Sequence, residues 1–243
     1  IGRFAPHEAL AAVGSTASLT GLIVNVFMGL SVGTNVLVAN YYGAKDRKLV
    51  SRTVHTAILM AAVGGTVLAF LGILLARPML SLMGTPDNVL SKACVYMWIY
   101  FAGMPLIMLY NFGSAVMRAV GDTRRPLFFL LFAGIVNVVL NLFFVLVFHM
   151  DVAGVALATV ISQGIAAYLV IRCLMNARDA CRLKYRGLKI DPTILRNMLW
   201  IGLPAGIQGM FFSLSNITIQ SSVNSFGSLA IAGNTAAISL EGF

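Results

Sequence analysis

Charge is what this 243-residue sequence has least of. Asp, Glu, Lys and Arg together make up 10% of it, where a soluble globular domain carries about a quarter. None of the four occurs at 9–44, 53–76, 93–117, 126–150, 152–171 or 197–240. That scarcity excludes a water-soluble domain. Three cysteines, Cys94, Cys173 and Cys181, are too few for a disulfide framework and read as packing or neutral surface thiols. The sequence holds only three histidines and no His/Cys metal spacing, no Gly-rich phosphate loop and no nucleophile–base pair. Neither an enzyme nor a cofactor is therefore expected. Residues 1–8 are mixed polar and the first apolar tract is too long for a leader, so no signal peptide is expected.

What is present is apolar length. Hydrophobic residues make up 59% of the chain and mean hydropathy is +0.89. A spanning helix needs about 20 mainly apolar residues, so each charge-free tract holds one span. The fold class is all-α, a polytopic helical membrane protein. Spans are expected at 10–40, 53–76, 90–117, 126–148, 152–175 and 193–223, with a seventh from about Ser228. Pro78 and Gly84-Thr85-Pro86-Asp87 read as the loop after the second span. Pro105 and Pro204 fall inside the third and sixth spans, where a missing N–H bends a helix, and both are hinge candidates. Residues 176–192 are polar and basic, the one linker, dividing 1–175 from 193–243.

Basic residues set the orientation. Of the 17, 14 fall in alternate loops near 47, 122 and 182; only Arg3, Arg77 and Lys92 lie opposite. Positive charge stays cytoplasmic, so those three loops are inside and the His149 corner is outside. Orientation accounts for the net charge of +9, and no nucleic-acid partner is needed. His55, one turn inside the second span, and His149 read as solvated interface histidines.

The stretch from Gly134 to Gln163 carries the most specific polar signal. Asn137 and Asn141 are spaced i, i+4 on one span, and Thr159 and Gln163 are spaced i, i+4 on the next. A stripe of small residues, Gly154, Ala158, Ser162 and Ala166, lets the two helices approach closely. A four-residue corner, 149–152, makes them antiparallel neighbours. Counting about 1.5 Å per residue from that corner sets Asn141 and Thr159 at matching depth, with Asn137 one turn deeper. Asn137, Asn141 and Thr159 are the candidate cation site; the alternative is that they are interhelical glue. Asn35, Gln163, Gln208, Ser213 and Asn216 are candidate lining of a substrate cavity.

Residues 10–17, LAAVGSTA, recur as LAIAGNTA at 229–236. Internal repeats are the usual build of secondary transporters, and this offset predicts a complete protein about twice this length, of which the chain is a piece. EALAAVGSTAS (8–18), ANYYGAKD (39–46), RAVGDTRRPL (118–127), IVNVVLN (135–141), VAGVALATVISQ (152–163) and IGLPAGIQ (201–208) stand in an order and spacing that resemble the multidrug and toxic compound extrusion (MATE) family of cation-coupled exporters. The resemblance covers nearly the whole chain.

That resemblance implies the second to seventh of twelve helices and the start of the eighth, in a two-lobe transporter with a central cavity. It implies a multi-pass protein of the bacterial plasma (inner) membrane. Its activity would be export of organic cations or amphiphilic drugs in exchange for Na⁺ or H⁺, with no obligate protein partner. Carried over by position, Asn137 and Thr159 match the family's Asn and Thr at its N-lobe cation site. Asn141 stands where one branch has an Asp, and an amide can ligate Na⁺ but cannot hold a proton. Two other readings remain, a flippase for lipid-linked precursors in the same superfamily and a chain that scaffolds without transporting.

Overall fold

A computed structural model describes residues 7–82, 87–148, 150, 152–177, 180–184 and 187–224. Among the described residues there are seven helices and no strand: α1 His7–Gly43, α2 Arg47–Leu82, α3 Asp87–Ala102, α4 Met104–Ala119, α5 Arg124–Leu146, α6 Val152–Met175 and α7 Pro192–Asn224. Three of them, α2, α5 and α6, are long and apolar enough to cross a membrane, and the bent pair α3–α4 makes a fourth span. At 37 and 33 residues, α1 and α7 also have the length. The expected seventh span and the second copy of the repeat lie outside the described residues.

Helix starts on the basic side share one device. Asp46 Oδ1 accepts the backbone N–H groups of Lys48 (3.1 Å) and Leu49 (3.0 Å) at the head of α2. Asp122 Oδ1 accepts that of Arg125 (3.2 Å) at the head of α5. Asp191 Oδ1 accepts those of Thr193 (3.1 Å) and Ile194 (3.4 Å) at the head of α7. Each carboxylate satisfies donors that the first turn leaves orphaned, and its charge suits the helix dipole. Among the described residues, Asp46, Asp122 and Asp191 thus stand at helix ends. Gly121, at φ +90°, makes the turn before α5.

Two expectations need correction. Pro78 lies inside α2 and not in the loop after it. The third span is broken into α3 and α4, bent by 46° around Gly103. Pro105 sits in the first turn of α4, where its missing N–H has no helical partner to lose. Gly103 stands at the break, where a side chain would collide with Val160 of α6. Pro204 behaves differently: α7 is helical without interruption from Pro192 to Asn224.

The packing centre is formed by α2, α4 and α6. Val50, Val54 and Ile58 of α2, Val116 and Met117 of α4, and Ala166, Val170 and Leu174 of α6 form one buried cluster, joined by Cys181 and Leu183 of the linker. Cys181 is therefore a core residue, not a surface thiol, while Cys173 is half-buried with Arg125 Nη1 3.6 Å from its sulfur. The linker is no free strand: Leu183 also donates its N–H to the Leu174 carbonyl (3.0 Å).

Along α1 and α7 the backbones themselves touch. A Cβ at Gly29 would collide with the main chain of Gly206, and one at Gly33 with the carbonyl of Met198. A Cβ at Gly202 would stand 2.7 Å from the Cα of Leu30. Both helices place glycine four apart, at 29 and 33 and at 202 and 206, and this spacing permits the contact. By contrast α5 packs on α6 and on little else. Leu131, Ile135, Val138 and Val139 of α5 are each more than half exposed, a face made for lipid.

The orientation is open to direct test. In sealed vesicles, cysteines introduced at Arg124 and at Asp151 are expected to react with an impermeant maleimide from opposite faces. Labelling of both from one face overturns the assignment.

Candidate functional site

The polar ladders of α5 and α6 meet. Asn137 Nδ2 donates to Thr159 Oγ1 (3.4 Å) and to Ser162 Oγ (3.3 Å), and Asn141 Nδ2 donates to Asn137 Oδ1 (3.0 Å). The hydroxyl protons are already used within α6: Thr159 donates to the Val155 carbonyl (2.9 Å) and Ser162 to the Thr159 carbonyl (2.9 Å). Both hydroxyls can then only accept, which turns the Asn137 NH₂ toward α6 and its oxygen toward Asn141.

Donation thus runs one way, from Asn141 through Asn137 into the α6 hydroxyls. Its open end is Asn141 Oδ1, buried and without a hydrogen-bond partner. A second buried acceptor without a partner, Gln163 Oε1, lies on α6 one turn beyond Thr159. Unsatisfied buried acceptors cost about 1–3 kcal/mol each, and either a donor or a cation relieves that cost. No member of the cluster carries a formal charge. Among the described residues no group of three or more His, Cys, Asp or Glu is placed to hold a metal ion.

The register differs from the one counted off the corner. Gly154 faces Phe144, a Cβ there lying 2.9 Å from the Phe144 Cβ, and Asn137 faces Thr159 and Ser162. By that pairing Thr159 stands between the levels of Asn137 and Asn141, and it is Asn137 that bonds to it. The helices are offset because α5 ends at Leu146, three residues before the expected corner, while α6 begins at Val152. Ser162, read from sequence only as a small residue, is a full member of the cluster, and its burial (3% exposed) was the missing signal.

The cavity candidates divide. Asn35, half-buried on α1, donates to the Ala115 carbonyl of α4 (2.9 Å) and ties those helices together. Beside it, buried Thr34 Oγ1 has no partner. Gln208 is exposed on α7. The side chains of Ser213 and Asn216 lie outside the described residues. His55 is a correction: it is buried, 5% exposed, because the linker folds over it.

Comparison with known proteins follows the same outline. The MatE family model matches residues 1–143. The chain is 33% identical over 240 residues to the probable multidrug resistance protein YoeA of Bacillus subtilis, covering 96% of this chain and 52% of that one. It is 27% identical over 248 residues to the FAD transporter of Shewanella oneidensis, covering 96% and 53%. A solved MATE family transporter of the MOP superfamily in its outward-facing conformation superposes with a TM-score of 0.88 at 23% identity, over 96% of this chain and 52% of that one. The chain thus spans about half the length of the relatives it matches.

Proposed function

This chain belongs to the MatE family, and from that premise we propose that it forms the N-terminal lobe and first C-terminal helix of a secondary antiporter. The complete protein exports organic cations or amphiphilic compounds by alternating access in exchange for Na⁺. The observation that supports this reading is the Asn141 end of the cluster, a buried amide oxygen with no donor. Neutral oxygens of amides and hydroxyls suit a hard cation such as Na⁺. The same groups cannot take up a proton at neutral pH, which supports Na⁺ over H⁺ at this position.

A second reading concerns the cargo alone. One relative is named for FAD, an anionic dinucleotide, and a flippase for lipid-linked precursors would also carry an anion. The α5–α6 cluster is neutral and favours neither sign of cargo. The assay therefore includes both.

The test is made on the complete protein in proteoliposomes, loaded with ethidium or with FAD. An inward Na⁺ gradient at constant pH is expected to drive efflux, and a proton gradient without Na⁺ is not. Asn141→Asp should then add a titratable group where the wild type has an amide, so that efflux acquires a pH dependence of roughly tenfold across the carboxylate's titration. Efflux by the wild type driven equally well by protons alone overturns the Na⁺ assignment.

A further inference from the structure

The linker between α6 and α7 is seated on α2 by three side chains that share one helical face. Arg52, His55 and Thr56 stand at i, i+3 and i+4. Thr56 Oγ1, fully buried, accepts the backbone N–H of Asp191 (3.1 Å). Arg52 Nη1 lies 3.5 Å from Asp191 Oδ2, while the other oxygen of that carboxylate caps α7.

Between them sits His55. Its Nδ1 is 2.6 Å from the Ser51 carbonyl, and its Nε2 is 3.0 Å from the backbone N–H of Lys184. A carbonyl only accepts and an amide N–H only donates. The ring is therefore the neutral tautomer with its hydrogen on Nδ1, and Nε2 is an acceptor. A Cβ at Gly187 would stand 3.2 Å from that same nitrogen, so the linker lies directly against the ring edge.

We propose that His55 is a proton-sensitive dock for the inter-lobe linker. The neutral ring seats Lys184, and with it the segment that leads into α7. A proton added at Nε2 turns the acceptor into a donor facing a donor, and the linker lifts from α2. Docking is complete at the higher pH, where the ring is neutral, and is lost as pH falls. Among the described residues the charged side chains at the dock are Arg52 on the same helix and Asp191 on the linker, which lie 3.5 Å apart. Lys184 meets the ring through its backbone N–H, and its side chain is exposed. The Asp191 carboxylate is engaged by Arg52 and by the α7 cap. Tyr185 and Arg186 lie outside the described residues. The dock stands whether or not the α5–α6 cluster binds a cation.

Native Cys181 reports on it, since it is 4% exposed while the linker is seated. In the full-length protein with every other cysteine replaced by serine, its maleimide labelling rate is measured at about pH 8 and about pH 5.5. Each rate is divided by that of the unfolded chain at the same pH, which removes the thiol's own titration. The normalised rate is expected to rise about fivefold or more on acidification. His55→Gln puts an amide oxygen in the acceptor position with no proton to gain, so the rate should stay low at both pH values. His55→Ala removes the acceptor, and the rate should be high at both. A wild type without pH dependence, a His55→Gln variant that keeps it, or a His55→Ala variant as protected as the wild type at the higher pH overturns the proposal.

Discussion

Leucine at Gly29 is expected to cost the complete protein most of its export, a loss of about tenfold or more. Gly29 has the main chain of Gly206 where a side chain would go. A rotamer change gives no relief, because the obstacle is backbone; the two helices must part. By the basic-loop orientation, the contact runs from near the membrane midplane toward the cytoplasmic side. Parting α1 from α7 there opens the seam between the lobes on that side. A cysteine placed at Leu30, which is 5% exposed, should then react with an impermeant reagent from the cytoplasmic face. Gly134→Ala serves as the control, since a Cβ there meets nothing within 4 Å. If Gly29→Leu exports normally with position 30 still protected, the glycine contact is not a seal.

Asn137→Ala is the second large effect expected. The substitution removes both bonds to α6 and leaves the Asn141 NH₂ without its acceptor. Hydrogen bonds between membrane helices contribute on average about 0.6 kcal/mol each, so two lost bonds and one orphaned donor amount to roughly 2 kcal/mol. The protein should still insert and accumulate. Na⁺-driven efflux should fall about tenfold or more, and Thr159→Ala should fall with it. The double variant should be no worse than the worse single one, because both act on one network. Full export by Asn137→Ala, at normal expression, leaves the cluster as packing and moves coupling elsewhere.

How far the sequence could be read depended on whether the deciding contact was local. The limits of α6, Val152 to Met175, follow from the apolar tract itself, and those of α5 and α7 fall within two residues of the expected spans. The meeting of Asn137 with Thr159 was legible because a short corner joins their helices. The break at Gly103 was not, since Pro105 announces a bend but the close approach of Val160, which leaves room only for glycine there, comes from 57 residues away. His55 was misread for the same reason. Its neighbours in sequence suggest a wet interface, and the linker that covers it, at Lys184 and Gly187, comes 129 residues or more later in the chain. The glycines of α1 and α7 were visible as residues, but nothing in either helix alone says that the other will lie on it.

One feature of α5 bears on how the protein is made. Its 23 residues touch α6 and little else, yet α6 leaves the ribosome later. For that interval Asn137 and Asn141 enter the bilayer with no hydroxyl to meet them. The helix tolerates this because its central residues are Leu, Phe, Ile and Val almost throughout, and their insertion free energy outweighs two amides. Arrival of α6 then zips the pair from the short corner inward. The α5–α6 pair is accordingly expected to insert as a unit, its polar partners meeting as soon as α6 follows α5 into the bilayer.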